Sequence, residues 1–260
     1  MALPRFFVDP ADIADGMARL AGPEREHAVR VLRLGPGEEA VLFDGKGFEY
    51  PARIVEVGRQ AVRLSVGGRR ACAGDPRRAR VTLLQGVPRL ARMDWLVEKV
   101  TEAGAAALVP VLAKRSPPEA RRARGRLERW RTISREACRQ CGRSALPDVL
   151  EPVEPASAWE VWGRAEGRRA ILDPRASSGL RAWIDSSPSA AWVLAVGPEG
   201  GWDPEELEAA RRAGFEPVAA GPRTLRAETA ALVAVTAVQL AAGDLGLPPT
   251  PEVDRPGTSR

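Results

Sequence analysis

The fold class follows first from WVLAVGPEGGWDPEE, residues 192–206. Its apolar beginning predicts a buried strand that ends at Val196, and the glycines after it predict a tight loop whose main-chain amides can approach a ligand closely. Asp203, Pro204 and Glu206 then take the cap, first and third positions of a predicted helix, as in a capping box. Ligands bind where the strands of an open parallel sheet end, so this loop is a candidate binding site; a turn without a ligand fits the same residues.

The surrounding sequence alternates strands and helices in the same manner. Predicted strands cover 81–84, 108–112, 170–173 and 192–197, and predicted helices cover 92–103, 124–142, 179–185, 203–214 and 228–242. This alternation predicts an α/β fold with a largely parallel sheet and helices on both faces. No Walker-type or G-x-G-x-x-G phosphate motif is present, so any ligand of this sheet binds in another way.

The N-terminal part follows a different pattern. Predicted strands cover 39–43, 47–57 and 60–66, after one short helix at 24–34. These elements predict a small β-barrel domain, residues 1–72, ahead of an α/β domain, residues 73–245. Residues 67–80 are rich in glycine and charge and are the predicted linker, while the proline-rich tail, 246–260, is predicted to be disordered.

Composition narrows the classes of function. Of the 260 residues, 44% are hydrophobic, which is enough for sizeable cores. Three cysteines and a single histidine, His27, argue against a disulfide framework and exclude His-rich zinc sites and most Ser-His-Asp arrangements. The sequence has no apolar stretch long enough to span a membrane and no signal-peptide pattern, so we expect a cytoplasmic protein that needs no membrane and no metal.

Positive charge is concentrated in one segment. The chain has a formal net charge of +5, but residues 114–143 hold eleven basic and three acidic residues, a net +8. Arginines recur there at every fourth position and predict one cationic stripe about 18 Å long: they are Arg131, Arg135, Arg139 and Arg143. Such a stripe suits a nucleic-acid backbone, although a solvated basic surface explains the charge equally well.

A second loop, AAGPRTLRAETA at 219–230, leads into a helix that is apolar on nearly all sides. Such a helix has to be covered on nearly all sides, by its own sheet and by a second subunit. Arg226 and Glu228 at its entrance are candidate catalytic groups, or else an ion pair that favours the helix N-terminus. Cys138 and Cys141 form a C-x-x-C, but too few further ligands remain for structural zinc, so we interpret them as helix packing residues.

Several segments taken together resemble the RsmE family of small-subunit ribosomal RNA methyltransferases, which methylate a uridine at ring nitrogen three. The segments are PRFF at 4–7, HAVRVLR at 27–33, FDGKGFEY at 43–50, MDWLVEKVTEAG at 93–104, REACRQCGR at 135–143, VGPEGG at 196–201 and GPRTLRAETA at 221–230. Their order and spacing are specific, and the resemblance covers nearly the whole chain except the tail. The chain departs from the family's preferred residues at Thr224 and Ala227, which lie in the second loop.

The resemblance implies a SPOUT-type fold, in which the parallel sheet is knotted, together with a PUA-like N-terminal barrel. It also implies a homodimer, S-adenosylmethionine as cofactor, and 16S ribosomal RNA or the small ribosomal subunit as partner. By this similarity Asp173 lies at the cofactor site. The residues implied to bind the cofactor are Leu172, Gly197, Pro198, Glu199, Gly200, Gly201, Gly221, Leu225, Arg226, Thr229 and Ala230.

The chemistry of methylation suggests roles within that site. The uracil nitrogen has to lose a proton, which Glu199, Glu228 or water would accept. Arg226 or Arg143 would stabilise the uracil anion that forms. Arg226, Glu228 and Arg143 are therefore the candidate catalytic residues.

RNA affinity would come from the barrel, through Arg5, Arg30 and Arg33, and from the arginine stripe at 131–143. Two other functions remain open. One is a SPOUT methyltransferase that modifies another RNA at a ribose or a base. The other is a non-catalytic RNA-binding factor of ribosome assembly, in which the glycine loop is only a turn.

Overall fold

The computed structural model describes residues 3–72, 79–243 and 245–246. Tail residues 247–260, for which the sequence predicts disorder, lie outside the described residues, as does the middle of the predicted linker. The described strands form two sheets, one within residues 5–71 and one within residues 80–218.

The N-terminal sheet has seven strands. They are β1 (Arg5–Phe7), β2 (Ile13–Ala14), β3 (Met17–Ala21), β4 (Glu39–Phe43), β5 (Phe48–Val57), β6 (Ala61–Val66) and β7 (Arg70–Ala71). They pair in the order β1-β4-β5-β6-β3-β2, with β7 beside β5. Phe6, Leu42, Ile54 and Leu64 belong to the apolar core of this sheet. A short helix, α1 (Gly22–Glu26), continues into one π-helical turn at His27–Val31.

The sequence prediction places β4, β5 and β6 within one residue of their observed ends and misses β1, β2 and β3. The predicted turn between β4 and β5 is confirmed. Asp44 Oδ1 accepts hydrogen bonds from Lys46 N (2.8 Å) and Phe48 N (3.1 Å), and Gly45 adopts a φ of +73°. The missed strands have two to five residues, too few for alternation to be recognised.

The second sheet is parallel throughout. Its strands are β8 (Arg80–Gly86), β9 (Ala107–Val111), β10 (Asp148–Val149), β11 (Arg168–Leu172), β12 (Ala191–Val196) and β13 (Glu216–Val218). They pair in the order β10-β9-β8-β12-β11-β13. The helices are α2 (Leu90–Glu102), α3 (Leu127–Cys141), α4 (Pro155–Trp162), α5 (Leu180–Asp185), α6 (Pro204–Arg212) and α7 (Ala227–Ala242).

Helices cover both faces of this sheet. Leu83 and Leu194 pack with α2, α3, α5 and α7 in one core, while Leu84 and Val193 pack with α4 and α6 in the other. Because neighbouring residues of one strand enter opposite cores, the strands are apolar at nearly every position. The predicted α/β class with a small N-terminal β domain is confirmed, and the knot that the resemblance implies stays a prediction.

The N-terminal domain contacts α3, and charged groups cross between them. Arg139 Nη2 lies 2.6 Å from Glu24 Oε1, and the Arg135 guanidinium lies 4.7 Å from the centre of the Phe7 ring. Burial raises the pKa of Glu24 although the Arg139 guanidinium opposes it. On the next segment of chain, Ser144 Oγ accepts a hydrogen bond from Arg5.

These contacts correct the assignment of several RNA-binding candidates. Arg135 and Arg139 are half-buried against the N-terminal domain, and Arg5 also pairs with Glu49 at 2.5 Å. Arg143 donates to main-chain carbonyl groups just beyond α2. The predicted stripe is therefore not one exposed surface, because most of its guanidinium groups hold the two domains together.

Candidate functional site

Three loops at the C-terminal ends of the parallel strands enclose one cavity of about 580 Å³. They are the loop after β11, the loop of residues 197–201 after β12, called here the glycine loop, and the bend of residues 220–227 that leads from β13 into α7. A cavity of this size at this edge of an open α/β sheet is typical of small-molecule sites.

Main-chain packing shapes the glycine loop. Gly86, the last residue of β8, approaches it so closely that a Cβ atom there would lie 2.5 Å from Pro198 Cδ and 2.8 Å from Pro198 N. The buried Gln85 donates a hydrogen bond from Nε2 to the Gly197 carbonyl oxygen (3.3 Å). Gly201 N donates to the Pro198 carbonyl oxygen (2.8 Å), and Gly201 has a φ of +66°, which favours glycine.

The predicted capping box after this loop is confirmed. Asp203 Oδ1 accepts a hydrogen bond from Glu205 N (3.2 Å), and Glu206 Oε2 accepts one from Asp203 N (2.8 Å). Glu206 Oε1 also accepts a hydrogen bond from Lys114 N (2.8 Å). The start of α6 is thereby tied to the segment that follows β9.

A buried negative charge lies beside the cavity at the end of β11. Asp173 accepts hydrogen bonds from Arg175 N (3.0 Å), Nε (3.1 Å) and Nη2 (3.3 Å). Burial by itself would raise the pKa of Asp173, but these hydrogen bonds outweigh it and hold that pKa below its ordinary value.

One cation of the wall, Arg92, was not predicted from the sequence. It lies in the first turn of α2 and its Nη1 atom is within ion-pair distance of Glu199 and Glu228. It stands one residue outside the MDWLVEKVTEAG segment and belongs to no recognised motif. Its position in the first helical turn after β8, at the ligand-binding edge of the sheet, is the signal that points to it.

Most residues that the resemblance implies for cofactor binding come together here. Ten line the cavity: Leu172, Gly197, Pro198, Glu199, Gly200, Gly201, Gly221, Leu225, Arg226 and Ala230. Thr229 is exposed and is not part of the wall. Of the catalytic candidates, Arg226 lines the cavity and Glu228 pairs with the wall residue Arg92. Arg143 does not line it, because its guanidinium donates to the carbonyl oxygens of Thr101 (2.5 Å) and Ala105 (3.0 Å).

Other basic residues remain on the surface. The Arg30 side chain is 78% exposed and pairs with Glu26 one helical turn earlier. Arg33 is exposed at a φ of +56°, and the apolar Val31 and Leu32 between the two arginines are exposed as well. Arg131 is exposed and pairs with its neighbour on α3 at 2.7 Å.

The C-x-x-C pair has unequal surroundings. Cys141 is exposed, whereas Cys138 is buried in α3 and burial raises the pKa of its thiol to about 12. A thiol that stays protonated at neutral pH is a poor nucleophile and a poor metal ligand. Residues 3–72, 79–243 and 245–246 contain no cluster of three or more His, Cys, Asp or Glu side chains that could hold a metal ion. In those same ranges no helix has the length and apolarity needed to cross a membrane.

Family models match most of the chain. Residues 75–239 match an RNA methyltransferase domain, and residues 20–67 match an RNA methyltransferase PUA domain. The chain is 35% identical over 238 residues to the ribosomal RNA small subunit methyltransferase E of Mycobacterium bovis, covering 90% of each chain. It is 31% identical over 236 residues to the protein of the same name from Synechocystis, covering 90% of this chain and 76% of the relative.

A solved structure has the same fold. The ribosomal RNA small subunit methyltransferase E of Neisseria gonorrhoeae, crystallised with bound S-adenosyl methionine, is 33% identical. It superimposes with a TM-score of 0.83 over 94% of this chain and 100% of that one.

Proposed function

The chain belongs to the RNA methyltransferase family of the ribosomal RNA small subunit methyltransferase E proteins, and we propose that it transfers a methyl group from S-adenosylmethionine to N3 of a uridine in 16S ribosomal RNA. The observation that carries this proposal is the cavity, which is enclosed by the three loops that the resemblance implies for the cofactor. The uridine and its N3 atom rest on that resemblance.

The cavity wall fits S-adenosylmethionine in chemistry as well as in size. Apolar side chains such as Leu172 and Leu225 suit an adenine ring, and the main chain of the glycine loop suits its polar edge. Trp202 is part of the wall, and its indole Nε1 is a buried donor without a hydrogen-bond partner among the described residues. A ligand acceptor at this wall would satisfy that donor.

Methyl transfer needs a proton acceptor and a cation close to the reacting nitrogen. S-adenosylmethionine supplies an electrophilic methyl group. A carboxylate of the wall region, Glu228 or Glu199, accepts the N3 proton of uracil, and the N3 electron pair forms the new bond to the methyl carbon. The carbon–sulfur bond breaks with its electrons left on sulfur, and the carboxylate later gives its proton to water. Arg226, which lines the cavity, stabilises the uracil anion.

RNA approaches through the exposed basic residues. We assign the barrel domain, residues 1–72, to RNA binding, with Arg30 and Arg33 as its phosphate contacts and Arg131 as a contact on the catalytic domain, residues 73–245. Guanidinium groups bind phosphates by paired hydrogen bonds, and these side chains are exposed. An enzyme that acts on ribosomal RNA works in the cytoplasm.

A homodimer completes the molecule. Val233 and Leu240 of α7 are 37% and 60% exposed, although most of this helix is apolar and buried. Exposed large apolar side chains on such a helix support a second copy as the cover, in line with the homodimer that the resemblance implies.

Two experiments test the proposal. Calorimetry with S-adenosylmethionine is expected to show one site per chain, and absence of binding would favour the non-catalytic assembly factor. Mass spectrometry of nucleosides from 16S ribosomal RNA of a deletion strain is expected to show loss of N3-methyluridine, restored by the gene. Loss of a different methylated nucleoside would contradict the uridine assignment.

A further inference from the structure

Arg92 joins two segments of the site that are far apart in the sequence. Its Nη1 atom lies 3.5 Å from Glu199 Oε1 in the glycine loop and 3.7 Å from Glu228 Oε1 in the first turn of α7. Its side chain lines the cavity and is 31% exposed. Arg92 therefore contacts both carboxylates that are candidates for accepting the substrate proton.

The two carboxylates differ in their surroundings. Glu199 Oε1 also accepts a hydrogen bond from Arg89 N (3.1 Å), which ties the glycine loop to the start of α2. Glu228 has the more buried side chain, 11% exposed against 29%. Glu228 Oε2 is buried and has no hydrogen-bond partner among the described residues. A buried oxygen of this kind costs free energy unless a ligand brings a donor to it.

Charge balance at Glu228 depends on the same arginine. In the described part of the chain, Arg92 is the cation within ion-pair distance of Glu228. A carboxylate this buried needs a nearby positive charge, and the guanidinium provides it through Oε1. Oε2 is then the oxygen left to receive a hydrogen-bond donor, and the N3–H group of uracil is such a donor.

We propose that Arg92 is a positioning residue for methyl transfer, which orients Glu228 and balances its charge so that Oε2 accepts the N3 proton, while Glu199 anchors the glycine loop. The inference rests on the proposed function and assigns its proton acceptor. The proton moves from N3 to Oε2 as the N3 electron pair bonds to the methyl carbon, and Glu228 then releases it to water.

A double-mutant cycle tests the coupling. Small ribosomal subunits from a deletion strain serve as substrate for the wild-type protein, Arg92→Gln, Glu228→Gln and the double variant. We expect each single substitution to lower kcat by about 10²-fold, with the affinity for S-adenosylmethionine within about twofold of wild type by calorimetry. If Arg92 acts through Glu228, the double variant is no slower than Glu228→Gln. Multiplying losses would show that Arg92 acts apart from Glu228 and would overturn the inference.

Two further variants separate this role from a structural one. Arg129→Gln removes an ion pair of 2.8 Å between α3 and Asp94 on α2, outside the cavity, and is expected to keep the wild-type kcat. Arg92→Lys keeps the charge and is expected to retain more of kcat than Arg92→Gln; equal losses would contradict a charge-balancing role. Nucleoside analysis of the wild-type product keeps the two proposals distinct. Absence of N3-methyluridine contradicts the proposed function, whereas its presence with wild-type kcat for Arg92→Gln contradicts only the inference.

Discussion

Replacing Gly86 by alanine is expected to weaken S-adenosylmethionine binding without touching any side chain of the cavity wall. The new methyl group would lie 2.5 Å from Pro198 Cδ, 2.8 Å from Pro198 N and 3.1 Å from the Gly197 carbonyl carbon. Ordinary contacts begin at 3.4 Å, so the loop would have to retreat by about 1 Å. Because two of the three atoms are main chain and the third belongs to a rigid ring, no rotamer change can relieve the overlap.

The magnitude follows from this overlap. Overpacking of a buried position costs about 1–3 kcal/mol. If the loop can return to its cavity-forming position only by meeting that cost, the affinity for S-adenosylmethionine falls by about 5- to 150-fold. If the cost instead destabilises the whole domain, each kcal/mol lowers Tm by about 2–4 °C for a chain of this size.

Calorimetric titration with S-adenosylmethionine and a thermal melt of the free protein distinguish these outcomes. Gly125→Ala is the matched control, since a Cβ there meets no atom within 4 Å and no left-handed φ is required. We expect it to bind S-adenosylmethionine as the wild type does. Wild-type affinity and an unchanged Tm for Gly86→Ala would refute the claim that the close approach of β8 shapes the loop.

Three further outcomes are expected. Removing both Arg30 and Arg33 by alanine substitution should weaken RNA binding and make the slope of log K against log salt shallower by about 1 for each phosphate that is no longer neutralised; an unchanged slope in filter binding would exclude them as phosphate ligands. Asp173→Asn should lower the free energy of unfolding at pH 7 by about 1 kcal/mol. Since the pKa of Asp173 lies below its ordinary value of 3.8 in the folded protein, this stabilisation is present above pH 3.8 and disappears as the pH falls through the lowered pKa, so urea melts of the two proteins should converge in acid. Alkylation at pH 8 should modify Cys141 and spare Cys138, whose thiol pKa is raised to about 12, and peptide mass spectrometry showing labelled Cys138 in folded protein would contradict its burial.

Local patterns explain which parts of the fold could be predicted. The capping box of α6 and the turn at Asp44 were predicted correctly because each depends on residues within four positions of one another. The strands of the parallel sheet were found because burial on both faces makes them continuously apolar. Helix α4 was missed, and its Pro155 and short apolar run lie in a segment without a clear helical period.

The arginines of α3 show the limit of such patterns. Their spacing predicts correctly that they lie along one side of a helix, but spacing says nothing about what faces that side. The N-terminal domain brings Phe7 against Arg135 and Glu24 against Arg139. A stripe that would be free on an isolated helix is thereby used between domains.

Sequence alone was sufficient for the α/β class, the separate N-terminal β domain and the two loops that enclose the cavity, because periodicity, capping and glycine content are properties of short segments. The resemblance of several segments added the reaction and the cofactor. Tertiary structure was needed to show which charged groups meet, since Arg92 and Glu228 are 136 residues apart in the chain and only the packing of α2 against α7 brings them within 3.7 Å. A side chain's electrostatic partner depends on how distant segments pack, and no local pattern contains that information.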